Sequence, residues 1–362
     1  MNVNERDTQM SDLLDRAHGA LLGLAAGDAS GFPSRYHRMV RAGLRRRMLW
    51  TQAIEADDNR INKFPLPYTH SAPLASESFS ATDDAEQAAL GSAVLLRALQ
   101  SRAAGGTVDA LPEAEDLFAA WKAIVLPQAD DYWGSVADRS AILNTLEGLT
   151  VPHTGSDNPH FYDDSSVARS LPVGILYAGD PVTAAVVARR LASITNDEVG
   201  VDAAAVFATA VAVTLGGAPL RDAIERGAAE IIADSWLGRT LVRAESILRE
   251  SGSLIAAVPR WNDEVANLEY NYGNVAAKTL PLALIIAREA GSFAEAIGIA
   301  NLIPKQADSM PAMVGALVGA ERGASAIPAT WRDRIETLRG YGVPSTAGVR
   351  LRELAEQLLP QG

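Results

Sequence analysis

Gly19-Ala20-Leu21-Leu22-Gly23-Leu24-Ala25-Ala26-Gly27-Asp28-Ala29-Ser30-Gly31 carries a glycine at every fourth position. Leu13, Leu14, Ala17, Leu21, Leu24 and Ala25 keep helical spacing through it, so the periodicity predicts a helix over 12–29. An interior helical glycine costs about 1 kcal/mol against alanine, and four at one spacing imply that another backbone approaches closely along that face. Tight helix packing explains them as well as any functional role. Gly315, Gly319 and Gly323 repeat the spacing in a second apolar run, 310–323. Asp28 falls where the first helix ends, a place where the helix dipole disfavours a carboxylate, which calls for a ligand or a donor beside it.

Working outward, Phe79-Ser80-Ala81-Thr82-Asp83-Asp84-Ala85-Glu86-Gln87 sets a hydroxyl and two adjacent carboxylates before a long Ala/Leu-rich helix over 84–102. Capping that helix requires one of the two aspartates; the second is available for other chemistry. Thr82, Asp83 and Asp84 together form a set of hard oxygen donors, suited to Mg²⁺, Mn²⁺ or Ca²⁺ rather than to a thiophilic metal. Pro304-Lys305-Gln306-Ala307-Asp308-Ser309 is a second oxygen-rich turn before a close-packing helix, so the two helix starts could converge on one cation.

Between these landmarks helical periodicity recurs over 114–124, 136–149, 166–177, 181–194, 201–215, 220–233, 237–250, 275–289 and 293–302, with terminal helices near 331–339 and 347–359. No stretch sustains period-two alternation, and the class expected is all-α. Three stretches depart from the pattern. Arg35, Arg38, Arg41 and Arg45 fall on one helical face of a basic segment, 35–47, read either as a solvated surface or as a phosphate or interface patch. Residues 55–78, interrupted by Pro65, Pro67 and Pro73, form a long loop leading into Thr82. Residues 151–165, with Asp157-Asn158-Pro159-His160-Phe161-Tyr162-Asp163-Asp164, form a second polar loop, either solvated or ligand-binding.

The chain has 362 residues, 48% of them apolar, few aromatics and a formal charge of −12. That balance gives ample core for one helical domain over 12–362 behind a polar lead, 1–11, and excludes a general nucleic-acid surface. The absence of cysteine excludes a disulfide framework, thiolate metal sites and a cysteine nucleophile. The polar first ten residues lack a signal core, and no uninterrupted apolar run reaches the roughly 18 residues of a membrane span. A cytoplasmic protein without a membrane partner is expected; the oligomeric state is left open.

The ordered set of motifs resembles the ADP-ribosylglycohydrolase family, whose members include the enzyme that removes ADP-ribose from dinitrogenase reductase. It consists of Gly19-Ala20-Leu21-Leu22-Gly23 through Gly27-Asp28-Ala29-Ser30-Gly31, then Thr82-Asp83-Asp84, then Ala168-Arg169-Ser170-Leu171-Pro172-Val173-Gly174, then Asp308-Ser309 with Val314-Gly315-Ala316-Leu317-Val318-Gly319-Ala320. The resemblance implies an all-α domain with a two-magnesium centre that binds the ribose diol and a water and cleaves the bond at ribose C1′. By match to the family motifs the metal ligands would be Thr82, Asp83, Asp84, Gln306, Asp308 and Ser309. Asp83 or Asp84 would act as the base, and Asp28, Arg35, Asp164 and Ser165 would contact substrate.

The chain departs from the family pattern at three places. Gln306 stands where an aspartate is usual, after Pro304-Lys305 in place of Gly-Gly; Arg35 occupies a frequent glutamate position; and Asp163-Asp164-Ser165 replaces Gly-Asn-Gly. The neutral Gln306 implies that one of the two Mg²⁺ ions binds weakly or not at all. Glu55 or Glu77 could supply the missing acid. The substrate expected is ADP-ribosyl or ribosyl, with a free nucleoside or ribosyl metabolite as the alternative. A second alternative is an inactive homologue that binds ADP-ribose or a nucleoside.

Overall fold

The computed structural model describes residues 3–31, 79–106, 111–266 and 274–359. Among them are α1 (Val3–Gly31), α2 (Asp83–Ala104), α3 (Ala114–Val125), α4 (Val136–Leu146), α5 (His153–Ser156), α6 (Ser165–Leu176), α7 (Pro181–Ala192) and α8 (Glu198–Leu215). Then follow α9 (Leu220–Ala228), α10 (Trp236–Ser251), α11 (Leu254–Arg260), α12 (Ala276–Glu289), α13 (Phe293–Asn301), α14 (Met310–Arg322), α15 (Ala329–Ile335) and α16 (Leu351–Leu358). The fold is all-α. Two isolated β-bridges, Asp163 with Val275 and Thr337 with Arg350, are its extended pairings among the described residues.

The glycines of α1 and α14 face each other. A Cβ placed on Gly19, Gly23, Gly27 or Gly31 would lie 2.5, 2.0, 1.9 and 2.0 Å from the carbonyl oxygens of Gly319, Gly315, Pro311 and Ala307 respectively. The same holds in reverse, since a Cβ on Gly315 or Gly319 would come 2.0 Å from the oxygen of Gly23 or Gly19. The numbers rise along α1 as they fall along α14, so the helices run antiparallel with backbone laid on backbone. Flanking this ridge, Leu21, Leu24, Ala25, Val314 and Leu317 are buried in the principal apolar core. A second core gathers Leu90, Leu95, Leu117, Trp121 and Val187 between α2, α3 and α7.

The helix at the centre of both cores is α8, whose Val206, Phe207 and Val211 enter the first and Ala208 and Ala212 the second. It is long and apolar enough to cross a membrane by length and composition, unlike the shorter uninterrupted runs that the sequence shows, yet 78% of it is buried inside the protein. That is the pattern of a helix surrounded by other helices. Other boundaries differ from the periodicity reading at their ends. The helices α4 and α9 stop at Leu146 and Ala228, each earlier than expected, while α5 and α11 arise where no helix was read. Short helices of four and seven residues carry too little periodicity to stand out.

Buried polar ties fix how the helices sit. Arg169 on α6 is fully buried and pairs with Asp138 on α4, donating also to Gln87 Oε1 on α2 at 2.9 Å and to Thr195 Oγ1 at 2.7 Å. Gln87 Nε2 donates to Asp138 Oδ2 at 2.7 Å and to the Tyr132 hydroxyl at 2.8 Å, so the cluster is closed by hydrogen bonds on both charges. Near the C-terminus, Glu336 receives His18 Nε2 of α1 at 2.8 Å and the Arg352 N–H at 2.9 Å.

Two predictions follow from these contacts. Gly23→Ala gains helix propensity but forces its methyl into a carbonyl oxygen, so the net effect should be a loss of at least about 1–3 kcal/mol, read as a lower denaturant midpoint. Burial pushes the Glu336 carboxyl up, but the bonds from the His18 ring and the Arg352 backbone N–H, with the charges of His18 and Arg350, prevail and hold it below its ordinary range. A lowered folded-state value stabilises above the unfolded value and is lost as pH falls through the folded one. The Tm difference between wild type and Glu336→Gln should therefore be largest near neutrality and shrink as pH drops below the carboxylate range.

Candidate active site

The glycine ridge ends with Gly31 against Ala307, which carries Asp28 of α1 to the turn before α14. There Asp28, almost fully buried, accepts the Thr82 N–H at 2.7 Å and the Ala85 N–H at 3.2 Å on Oδ2, and the Thr82 hydroxyl on Oδ1. Asp28 therefore caps α2 from outside. This supplies the donor partner that its place at a helix end required, and it accounts for Asp28 through positioning of Thr82-Asp83-Asp84.

Four helix N-termini meet in this region, those of α2, α6, α12 and α14. Thr82, Asp164 and Ser309 occupy the cap positions of α2, α6 and α14, and all three are residue types that ordinarily cap with the side chain. None does so. The Ser309 hydroxyl instead donates to Asp164 Oδ1 at 3.1 Å, and Asn274 Nδ2 donates to Asp308 Oδ2 at 3.1 Å and to Ser309 Oγ at 3.2 Å. Asp164 is held by its neighbour: Asp163 takes the Ser165 N–H on Oδ1 at 2.7 Å and bridges to Val275, while Asn196 Nδ2 donates to its carbonyl at 2.9 Å.

Three carboxylates thus share a buried neighbourhood. Burial raises Asp84 well above its ordinary range, and the negative charges of Asp28, Asp83, Asp164 and Asp308 add to the rise. Asp164 is raised in the same way by burial and by Asp163 and Asp308, against the bonds from Thr279 and Ser309. Asp28 is raised by burial and by Asp83, against its bonds from Thr82 and Ala85. Asp83 is half-buried and stands at the outer edge of the group.

The donor set suits a hard cation. Asp164 Oδ2 is buried with no hydrogen-bond partner, an orphaned anionic oxygen among other carboxylates. Gln306 offers a further oxygen. Thr279 Oγ1 lies 2.8 Å from Gln306 Oε1 and 3.0 Å from the Val275 carbonyl and also faces Asp164, more acceptors than its one hydroxyl hydrogen can serve, whereas Gln306 Nε2 is buried without an acceptor. Turning the amide over satisfies both groups, because Nε2 then donates to Thr279, and puts the carbonyl oxygen in the orphaned position. Among the described residues, no three His, Cys, Asp or Glu side chains are drawn to a single point as a preassembled cation site.

The profile of the ADP-ribosylglycohydrolase family matches residues 9–362. The chain belongs to that family. A solved structure described as an ADP-ribosylglycohydrolase-related protein complex has the same fold, with a TM-score of 0.58 at 21% identity over 96% of this chain and 98% of that one. No curated protein matches. Family membership supports a glycohydrolase-type function.

Of the residues that the family resemblance singled out, Thr82, Asp83, Asp84, Asp164, Gln306, Asp308 and Ser309 lie in or beside this neighbourhood. Ser165 is turned aside, its hydroxyl meeting that of Ser135 at 3.3 Å. Arg35, the arginine stripe 35–47, the loop 55–78, Glu55 and Glu77 lie outside the described residues. Asn274 and Thr279 were missed, because a lone Asn and a lone Thr beside an apolar helix carry no pattern. Glu86 was missed as well: it stands in the first turn of α2, is fully buried and accepts three backbone N–H groups, from Tyr341 at 2.6 Å, Gly342 at 2.7 Å and Val343 at 2.8 Å.

If Gln306 lends a neutral oxygen to a cation, making it anionic should strengthen the hold. Gln306→Asp should raise Mg²⁺ affinity by about tenfold or more in calorimetric titration, while Asp308→Ala should lower it. Equal affinity for wild type and Gln306→Asp would place Gln306 outside the coordination set.

Proposed function

We propose that this chain is a Mg²⁺-dependent hydrolase that cleaves the N-glycosidic bond at C1′ of an ADP-ribosyl or ribosyl substrate. The observation that carries the reading is the release of Thr82, Asp164 and Ser309 from capping, which leaves their oxygens beside Asp84 and Asp308 at four converging helix N-termini. Burying like charges together is costly unless something compensates them. The helix ends compensate in part, and a divalent cation would do the rest.

In this reading Asp84, Asp164 and Asp308 hold the cation, with the oxygens of Thr82, Ser309 and Gln306 as neutral donors. When bound, Mg²⁺ supplies the positive charge that orients a ribose diol and favours ionisation of water. Asp83, half-buried at the edge and 3.2 Å from the Thr82 hydroxyl, accepts the proton of the attacking water. The water oxygen bonds to C1′ as the C1′–N bond breaks, and the bonding pair leaves with the aglycone, which gains a proton. The transition state develops positive charge on the sugar, and the surrounding carboxylates stabilise it.

The test is ribose release from ADP-ribosyl and nucleoside substrates with and without Mg²⁺. Asp84→Asn, which takes one anionic ligand from the cation, should lower turnover by at least about tenfold while leaving the far-ultraviolet helical signal intact. Turnover that is undiminished in Asp84→Asn, or that is indifferent to chelation, would overturn the proposal. Binding of ADP-ribose without any release would favour the inactive-homologue alternative.

A further inference from the structure

Thr279 stands in the first turn of α12 with its side chain fully buried. Its hydroxyl lies 3.0 Å from the Val275 carbonyl, the local bond that a threonine in a helix ordinarily makes to the residue four back. That bond by itself would satisfy the hydroxyl hydrogen. Yet the same oxygen lies 2.8 Å from the side-chain amide of Gln306, 27 positions away, and also faces the Asp164 carboxylate.

The backbone registers these residues on one another. Asp163 pairs with Val275, and the Ala276 N–H donates to the Tyr162 carbonyl at 3.0 Å, so the start of α12 lies along the segment that ends in Asp164. The Gln306 backbone carbonyl accepts the Met310 N–H at 3.0 Å, which ties it into the turn that carries Ser309, and the Ser309 hydroxyl donates to Asp164 Oδ1 at 3.1 Å. Thr279, Gln306, Ser309 and Asp164 thus close into a ring of neighbours, all of them buried.

Hydrogen counting decides how that ring is wired. A threonine hydroxyl donates one hydrogen and accepts through its lone pairs. The Val275 carbonyl and an ionised Asp164 can only accept. Whichever of them takes the hydrogen, the Gln306 amide is the one of these three neighbours able to donate in return. With Nε2 turned to Thr279, the Gln306 carbonyl oxygen takes the place of the buried nitrogen that otherwise lacks an acceptor. Asp164 Oδ2 and the Gln306 oxygen are then both buried without a donor, and positive charge is what satisfies two such oxygens.

We propose that Thr279 is a positioning residue for the cation: its hydroxyl holds the Gln306 amide with the nitrogen toward α12 and the oxygen free to coordinate, and so makes a ligand of a neutral side chain. This rests on the cation reading of the acidic site.

The experiment titrates Mg²⁺ alone into the metal-free full chain by calorimetry. Thr279→Val keeps the shape of the side chain and removes the hydroxyl, and should weaken Mg²⁺ binding by about tenfold or more, the scale of losing a group that orients a metal ligand. Thr279→Ser, which keeps the hydroxyl, should bind close to wild type. Gln306→Leu should weaken binding as well, and adding Thr279→Val to it should cost nothing further, because Thr279 acts through that amide. Far-ultraviolet circular dichroism and the metal-free Tm establish that each variant is folded; if Thr279→Val does not fold, Thr279→Ala takes its place. Equal Mg²⁺ affinity in wild type and Thr279→Val overturns the positioning role and leaves the cation reading standing. Losses that add in the double variant overturn it too, since the hydroxyl would then act independently of Gln306. Binding as weak in Thr279→Ser as in Thr279→Val assigns the effect to packing and likewise overturns it. Wild type that binds no Mg²⁺ overturns both the positioning role and the cation site.

Discussion

Backbone packed on backbone, between α1 and α14, is the constraint from which the rest of the arrangement follows. With a Cβ at Gly23 only 2.0 Å from the Gly315 oxygen, no residue with a side chain can stand at these crossings unless the helices separate. Separation would not stay local. The ridge sets Gly31 against Ala307, and through them the positions of Asp28 on α1 and Asp308 just before α14, on opposite sides of the same seam. The about 1 kcal/mol that each interior glycine costs in helix propensity is offset by the dispersion contacts of close approach and by the apolar rows packed on either side.

From that seam the polar structure builds outward in steps. Asp28 caps α2 and so places Thr82, Asp83 and Asp84. The buried Arg169 holds α2, α4 and α6 together, and through Thr195 and Asn196 it reaches the carbonyl of Asp163, next to Asp164. A buried ion pair is weak evidence for net stability, because desolvating two charges is expensive. Its value here is geometric: each charge is satisfied in one arrangement, and that arrangement sets Asp164 opposite Ser309.

The electrostatic problem created by this convergence explains several side-chain choices. Asp84, Asp164 and Asp28 are all pushed toward the protonated form by burial and mutual repulsion. Four helix N-termini point positive ends at the same place, and neutral donors such as Asn274, Thr279 and Ser309 add hydrogen bonds without adding charge. Gln306 fits this logic as well as the metal logic, since an amide in place of a carboxylate removes one negative charge from an overcrowded group.

Much of this was determined by the sequence alone. Helical periodicity gave the class and most of the helices, because a 3.6-residue repeat is a local property. The four-residue glycine spacing required a close partner, and the runs Thr82-Asp83-Asp84 and Gln306-Ala307-Asp308-Ser309 raised the expectation of hard-oxygen chemistry, because both are carried by contiguous residues. What the tertiary structure decided was which faces meet. Two glycine rows do not say that they face one another, nor that they run antiparallel. Asp28 gave its need for a donor but not the identity of Thr82, 54 positions away. Asp164 joined Asp84 and Asp308, Glu86 clasped Tyr341 to Val343, and Trp133 met Tyr341, all through contacts between residues far apart in the chain. Periodicity reports the orientation of a side chain about its own helix, whereas the partner on the other side is selected by how all the helices pack at once.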